Sequence, residues 1–419
     1  MRFNFNFSVQ KYKKKTNNKE VEFLCSSQLC KSTFYLRSKS CTFAAHLSNL
    51  YSYCKTMKKN ILWLLLLTSF ILLNSCNDLK NMPTPYYLPD TKGETGKMYV
   101  LSEGLFNMNN STLGCINFES RTIDYDFFSL LNYRGLGDTA NDMKIYGSKL
   151  WIMVNVSSQV EVVDARNGIS VRRIPFLNTN GEARQPRYIA FYKNKAYVCS
   201  FDGTVARIDT SSLAIEAVTT CGRNPDGIAV ANGKLYVSNS GGLDIPNYDN
   251  TVSVIDLNTF TETKKITVGM NPYKMEADSK GDVYVVSRGN NGNIKANLCR
   301  IDSKTDEVAQ TFSNLPAVNF TIRNDTAYLY NYDFTTDKYW IKTFDCKTEQ
   351  IISENFITDA TILERPFGIY IHPTNGNVYL TDARSYTIKG DLLCFDKKGN
   401  LKYKIEGVGL NPNTVLIRP

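Results

Sequence analysis

Asn224-Pro225-Asp226-Gly227-Ile228-Ala229-Val230 opens the stretch that decides the fold. It reads as a turn feeding a short apolar strand, and Asn232-Gly233 behind it is a two-residue hairpin signal. Lys234-Leu235-Tyr236-Val237-Ser238-Asn239 supplies a second strand. After a loop rich in Gly and Asn, Thr251-Val252-Ser253-Val254-Ile255-Asp256 supplies a third, and residues 263–268 a weaker edge strand. The unit is a four-stranded antiparallel meander.

Working outward, the unit recurs. The second-strand aromatic returns as Tyr99, Trp151, Tyr197, Tyr236, Tyr284, Tyr328 and Tyr379, at spacings of 39 to 52 residues. The proline that opens the first strand returns as Pro186, Pro225, Pro272, Pro316, Pro366 and Pro412, with Ala140 in its place before Trp151. An acid ends the third strand at Asp164, Asp209, Asp256, Asp302, Asp345 and Asp396, with Asn117 in the first copy. Four strands per period of this length signify a β-propeller, and seven aromatics signify seven blades. The chain is therefore expected to be all-β over residues 96–419. The first copy, starting at Gly96, lacks a proline-led strand, whereas residues 411–417 are an extra one. That strand is expected to join the N-terminal blade and close the ring, leaving no open edge.

Residues 1–56 stand outside the pattern and read as an upstream start that is not part of the fold. Met57-Lys58-Lys59-Asn60 and the apolar run 61–73 make residues 57–75 a signal peptide, the apolar core being too short to span a bilayer. Leu73-Asn74-Ser75-Cys76 resembles a lipobox, so Cys76 is expected to be lipidated, and residues 76–95, with Pro83, Pro85 and Pro89, form a lipid-anchored tether. Anchorage in the cell envelope, at the outer membrane or cell surface, follows. Without residues 1–56 and the two signal lysines, the 49 basic and 40 acidic residues of the chain fall to 37 and 38. The apparent basicity disappears, and no nucleic-acid partner is expected.

Catalytic patterns are sparse. Beyond residue 76 the only histidine is His372, in a hairpin on the face opposite the blade-opening loops. No Ser-His-Asp or Cys-His set can form there with one histidine, and no phosphate-binding or dinucleotide fingerprint occurs. The body cysteines Cys115, Cys199, Cys221, Cys299, Cys346 and Cys394 fall in separate strands or blade openings and read as buried apolar residues. Asp138, Asp142 and Asp226 leave a carboxylate-bound metal conceivable but read better as turn and cap residues, so neither a cofactor nor a metal site is assigned.

Function in a propeller is carried by the loops of one face. The residue after each blade-opening position is expected at the channel mouth: Asn141, Arg187, Asp226, Tyr273, Ala317, Phe367 and Asn413. Loops between second and third strands are tight around residues 156–157 and 201–203, and long at 103–111, 239–250, 288–297, 331–339 and 382–390. The candidate ligand-binding residues are Phe106, Asn107, Tyr133, Arg134, Arg187, Arg223, Tyr248, Tyr273, Arg288, Asn290, Tyr332, Phe334, Phe367, Arg384 and Tyr386. Rings that stack, with amides and guanidinium groups at the rim, suit a sizeable, flat, uncharged small molecule.

Tyr236-Val237-Ser238-Asn239, Tyr284-Val285-Val286-Ser287 and Tyr379-Leu380-Thr381-Asp382 resemble the repeat of the YVTN-type (YncE-like) propellers, and the likeness runs from about residue 96 onward. With the lipobox, the chain is similar to propeller lipoproteins of Bacteroidetes, one branch of which captures cobalamin for a TonB-dependent transporter. The resemblance implies a non-enzymatic, ligand-capturing surface protein, with a corrinoid as one possible ligand. Two alternatives remain: a metal-dependent lactonase- or lyase-type enzyme, and a protein-interaction propeller.

Overall fold

In three of the seven units the recurring Tyr and Asp turn out to be two halves of one fastening. In the computed structural model, which describes residues 88–418 except 92 and 291, Tyr99, Tyr236 and Tyr284 each reach the turn that follows the Asp of the next unit. Tyr99 Oη donates to Ala165 O at 2.7 Å, Tyr236 Oη to Ser303 O at 3.3 Å, and Tyr284 Oη to Cys346 O at 3.0 Å. The Asp itself accepts from backbone N–H groups two to four residues on. Asp256 takes Asn258 N and Thr259 N, both at 2.9 Å, and Asn117 substitutes with Glu119 N at 3.0 Å. A short polar side chain that caps its own turn explains the acid at this point of every unit.

Seven four-stranded antiparallel sheets result. Blade 1 holds β1 (Lys97–Ser102), β2 (Thr112–Asn117) and β3 (Thr122–Asp124); a short helix, α1 (Phe127–Asn132), follows it. Blade 2 is β4 (Ala140–Tyr146), β5 (Lys149–Val154), β6 (Gln159–Asp164) and β7 (Ser170–Pro175). Blade 3 is β8 (Pro186–Tyr192), β9 (Lys195–Ser200), β10 (Thr204–Asp209) and β11 (Ile215–Thr220). Blade 4 is β12 (Pro225–Ala231), β13 (Lys234–Asn239), β14 (Thr251–Asp256) and β15 (Thr261–Thr267). Blade 5 is β16 (Pro272–Ala277), β17 (Val283–Ser287), β18 (Asn297–Asp302) and β19 (Glu307–Phe312). Blade 6 is β20 (Asn319–Arg323), β21 (Thr326–Asp333), β22 (Lys338–Asp345) and β23 (Gln350–Ser353). Blade 7 is β24 (Pro366–Ile371), β25 (Val378–Asp382), β26 (Lys389–Phe395) and β27 (Leu401–Leu410), and the chain ends in β28 (Pro412–Arg418).

The ring closes as the sequence implies. β28 pairs antiparallel with β1, Met98 opposite Ile417, Tyr99 opposite Leu416 and Val100 opposite Val415, and so becomes the inner strand of blade 1. The core is divided among the seams between neighbouring blades. Leu235 and Val237 of β13 pack toward blade 3, while Tyr236 between them packs toward blade 5. Alternate residues of one strand thus serve two seams, which is why second strands are apolar throughout instead of alternating. The six body cysteines are unbridged, and all but the half-buried Cys221 are buried.

Residues 1–56, the signal 57–75 and Cys76 lie outside the described residues. The end of the expected tether does not hang free. Leu88 is buried in the seam of blades 7 and 1, and Arg121 Nη2 donates to its carbonyl at 3.1 Å. The fully enclosed Glu94 carboxylate accepts from Asn377 Nδ2 at 2.5 Å and Lys402 Nζ at 3.3 Å, with His372 Nε2 at 3.9 Å. His372 therefore belongs to this fastening; burial lowers its pKa, with Glu94 acting in opposition.

Two expectations about blade 6 are corrected. Every other inner strand carries a one-residue bulge at its start, as between Pro225 and Ile228. β20 has none, so Pro316 lies outside the strand, Ala317 is buried between blades 5 and 6, and Asn319 reaches the channel instead. The expected long loop 331–339 is mostly hairpin: Tyr332 pairs with Tyr339 and Asp333 with Lys338, leaving a four-residue turn.

Candidate functional site

The bulges place successive residues of the inner strands on the channel side, and the channel opens on the loop face into a cavity of about 580 Å³. Its walls differ around the ring. Blades 1 and 2 contribute Glu103, Asn413 and Asn141; blade 3, Arg187 and Tyr188; blade 5, Tyr273 and Arg288; blades 6 and 7 contribute aromatics.

Those aromatics form a chain of ring contacts. Phe334 meets Tyr332 edge-on at 4.8 Å and stacks near Tyr386 at 6.4 Å, and Tyr386 meets Phe367 edge-on at 5.8 Å. All three spacings lie in the range of favourable aromatic pairs. Arg365 braces the crescent from behind, with Nε donating to Tyr332 Oη at 2.9 Å and Nη1 to Arg384 O at 2.6 Å. Burial, then Tyr332, pushes the Tyr386 phenol up to about 12, so it faces the cavity as a neutral donor.

On the other side Arg187 pairs with Asp226 at 2.8 Å and stacks over Phe201 at 4.5 Å. Burial works against the Arg187 charge, but Asp226 and the neighbouring tyrosines outweigh it and hold the pKa above its ordinary value. Tyr188 and Tyr273 touch through their hydroxyls, with rings edge-on at 5.7 Å. Arg288 lies flat on Tyr273, 3.3 Å from its centroid. Glu103 accepts from Asn413 Nδ2 at 3.1 Å and from Asn141 Nδ2 at 3.5 Å. Burial raises its pKa, with Asn413 and the two arginines pulling it back. Deeper in the channel, burial also raises the pKa of Asp142, opposed by Lys144 and by the Ile189 N–H it accepts at 3.1 Å.

Of the fifteen residues singled out in the sequence, Arg187, Tyr273, Arg288, Tyr332, Phe334, Phe367 and Tyr386 line this cavity. The other eight do not. Phe106 and Tyr133 are exposed, Tyr133 closing α1 in the left-handed conformation, and Tyr248 is half-buried in its own loop. Asn107 gives its N–H to Asp138, and Asn290 folds its own loop by accepting from Gly292 N and Ile294 N. Three arginines are spent on structural carboxylates: Arg134 on Glu161, Arg223 on Asp244, Arg384 on Asp391. Asp138 is also occupied, by Asn107 N, Asn109 N and Thr139 Oγ1. Among the described residues no group of three or more His, Cys, Asp and Glu is placed to hold a metal.

Glu103, Tyr188, Asn319 and Tyr330 line the cavity without having been foreseen. A usable signal existed for Glu103. It lies four residues after Tyr99, and the same offset from Tyr284 and Tyr328 gives Arg288 and Tyr332. In these three blades the residue four after the second-strand aromatic is an inner-rim position.

The fold and mouth define a seven-bladed propeller whose channel holds a ligand-sized cavity. The chain belongs to the DUF5074 family, a domain of unknown function, which matches residues 96–408. No curated protein matches the sequence. Among solved structures it is similar to BT1487 of Bacteroides thetaiotaomicron, described as a quinonprotein alcohol dehydrogenase-like protein, with 16% identity, TM-score 0.54 and coverage of 77% of this chain and 78% of that one. Hydrazine synthase of Kuenenia stuttgartiensis (16% identity, TM-score 0.47, 60% and 74% coverage) and the Pan2 WD40 domain of Neurospora crassa (11%, 0.48, 62% and 78%) are also similar. At these identities the likeness concerns the fold alone.

Proposed function

We propose that this protein is a non-enzymatic, lipid-anchored propeller of the cell envelope that captures a planar small molecule at its channel mouth. The observation that carries the reading is the crescent of Tyr332, Phe334, Phe367 and Tyr386 facing Arg187 and Arg288 across one cavity. Flat faces with a polar rim suit a conjugated ring system bearing hydrogen-bonding groups. A corrinoid is larger than the cavity of about 580 Å³ and would cover the mouth, not enter it; a smaller planar ligand would fit inside. Delivery to a TonB-dependent transporter would use the same face, where Phe106, Met108, Leu243 and Ile245 are exposed loop residues suited to a protein contact.

Thermal denaturation with cyanocobalamin and a panel of planar aromatic compounds tests this. A ligand at 100 times its Kd adds about 2.7 kcal/mol to stability, and Tyr386→Ala is expected to remove that gain. A panel in which nothing raises the melting temperature would overturn the proposal.

A further inference from the structure

We infer that the molecule taken at the mouth carries an anionic group, a carboxylate or phosphate ester on a conjugated ring system, and that Arg288 binds it; this rests on the binding reading above. Four arginines stand at or just behind the mouth, and three have their charge answered. Arg187 pairs with Asp226 at 2.8 Å, Arg384 with Asp391 at 2.5 Å, and Arg365 with Asp337 at 3.5 Å. Arg288 differs. Its Nε donates to Val318 O at 3.4 Å and its face rests on Tyr273, but among the described residues no carboxylate lies within ion-pairing distance of it.

A half-buried guanidinium with an open edge is poorly solvated and already oriented. Its fork matches the two oxygens of a carboxylate or phosphate, and stacking on a ring fixes its plane before anything binds. The neighbouring acids reach Arg288 only at a distance. Asp226 is engaged directly by Arg187 and raises the Arg288 pKa only through space, and burial raises the pKa of Glu103, with Arg288 among the charges that oppose it. Arg288 is also close enough to the crescent to act on the Tyr386 and Tyr330 hydroxyls electrostatically. A ring stacked on Tyr386, with its edge against Phe367, can therefore present an acidic substituent to Arg288. The uncharged ligand suggested by the sequence gives way to an acidic one.

The test uses two fluorescent probes that differ only in charge, anilinonaphthalene sulfonate and uncharged phenylnaphthylamine, titrated into the full-length protein. The wild type is expected to bind the sulfonate at least about tenfold tighter. Arg288→Gln should abolish that preference by weakening the sulfonate far more than the uncharged probe, Arg288→Lys should keep much of it, and Tyr386→Ala should weaken both probes. Naphthoate and naphthyl phosphate as competitors tell a carboxylate from a phosphate by which displaces the sulfonate better. Equal affinity for the two probes, or equal weakening of both by Arg288→Gln, overturns the anionic assignment and leaves capture at the mouth standing. Failure of both probes to bind the wild type overturns both readings.

Discussion

Replacing Arg134 with Met is expected to destabilise the propeller and leave binding at the mouth untouched. Arg134 lies beside α1, stacked 4.8 Å over Phe128, and its Nη2 donates to both oxygens of Glu161 at 2.8 Å. The Glu161 side chain has no exposure, and Ser170 Oγ at 2.5 Å also donates to it. Met retains most of the apolar stem but leaves that carboxylate without its counter-charge. Removing one partner of a buried pair costs roughly 3–5 kcal/mol. Because the Arg134 side chain is 31% exposed, water screens the pair and the lower end, about 3 kcal/mol, is the appropriate figure. For a domain of this size that corresponds to a melting temperature lower by ~4 °C. Urea denaturation of the single variant and of Arg134→Met/Glu161→Leu gives the decisive comparison, since the double variant removes the stranded charge and should recover most of the loss. An unchanged midpoint in the single variant, or a double variant no better than the single, would refute the reasoning.

Three further outcomes are expected. Gly227→Ala would set a Cβ 2.1 Å from Tyr273 O, forcing β16 away from β12; a loss of about 1–3 kcal/mol on denaturation and weaker probe binding should follow. Tyr236→Phe removes the donor to Ser303 O and Asp306 Oδ1, but Lys234 still pairs with Asp306 at 2.6 Å, so calorimetry should show a loss of only about 1.5 kcal/mol. Asp325 has its pKa lowered to about 2 by the Ser279 backbone N–H first and then Lys347. A depressed carboxyl pKa stabilises above its unfolded value and loses that contribution as pH falls through the folded one. The stability gap between wild type and Asp325→Asn should therefore be constant above about pH 5 and shrink toward pH 2, which denaturation at a series of pH values would read.

What the sequence revealed depended on how locally each residue acts. Asp256 caps its own turn and Pro225 opens its own strand, so both repeat visibly in the chain and define the blades. Tyr236 repeats because each seam needs the same ring in the same place. The channel wall is harder to read, since one extra residue in an inner strand decides which side chains face inward, and β20 omits that residue without any change in composition. The arginines show the limit most clearly. Arg134, Arg223, Arg288 and Arg384 look alike in sequence, yet three are matched by acids 7 to 27 residues away. Only folding reveals which cation has been left over.

The pairing of β28 with β1 also bears on how the protein is made. In chain order β1 comes first, its inner edge bare, and six complete blades follow before its partner strand appears. Until Pro412–Arg418 arrive, that edge can be held only by something outside the domain, whether a chaperone or the corresponding strand of another unfinished copy. Accuracy of assembly therefore rests on the final seven-residue strand, and damage there would show as lost yield and swapped oligomers before it showed as lost binding.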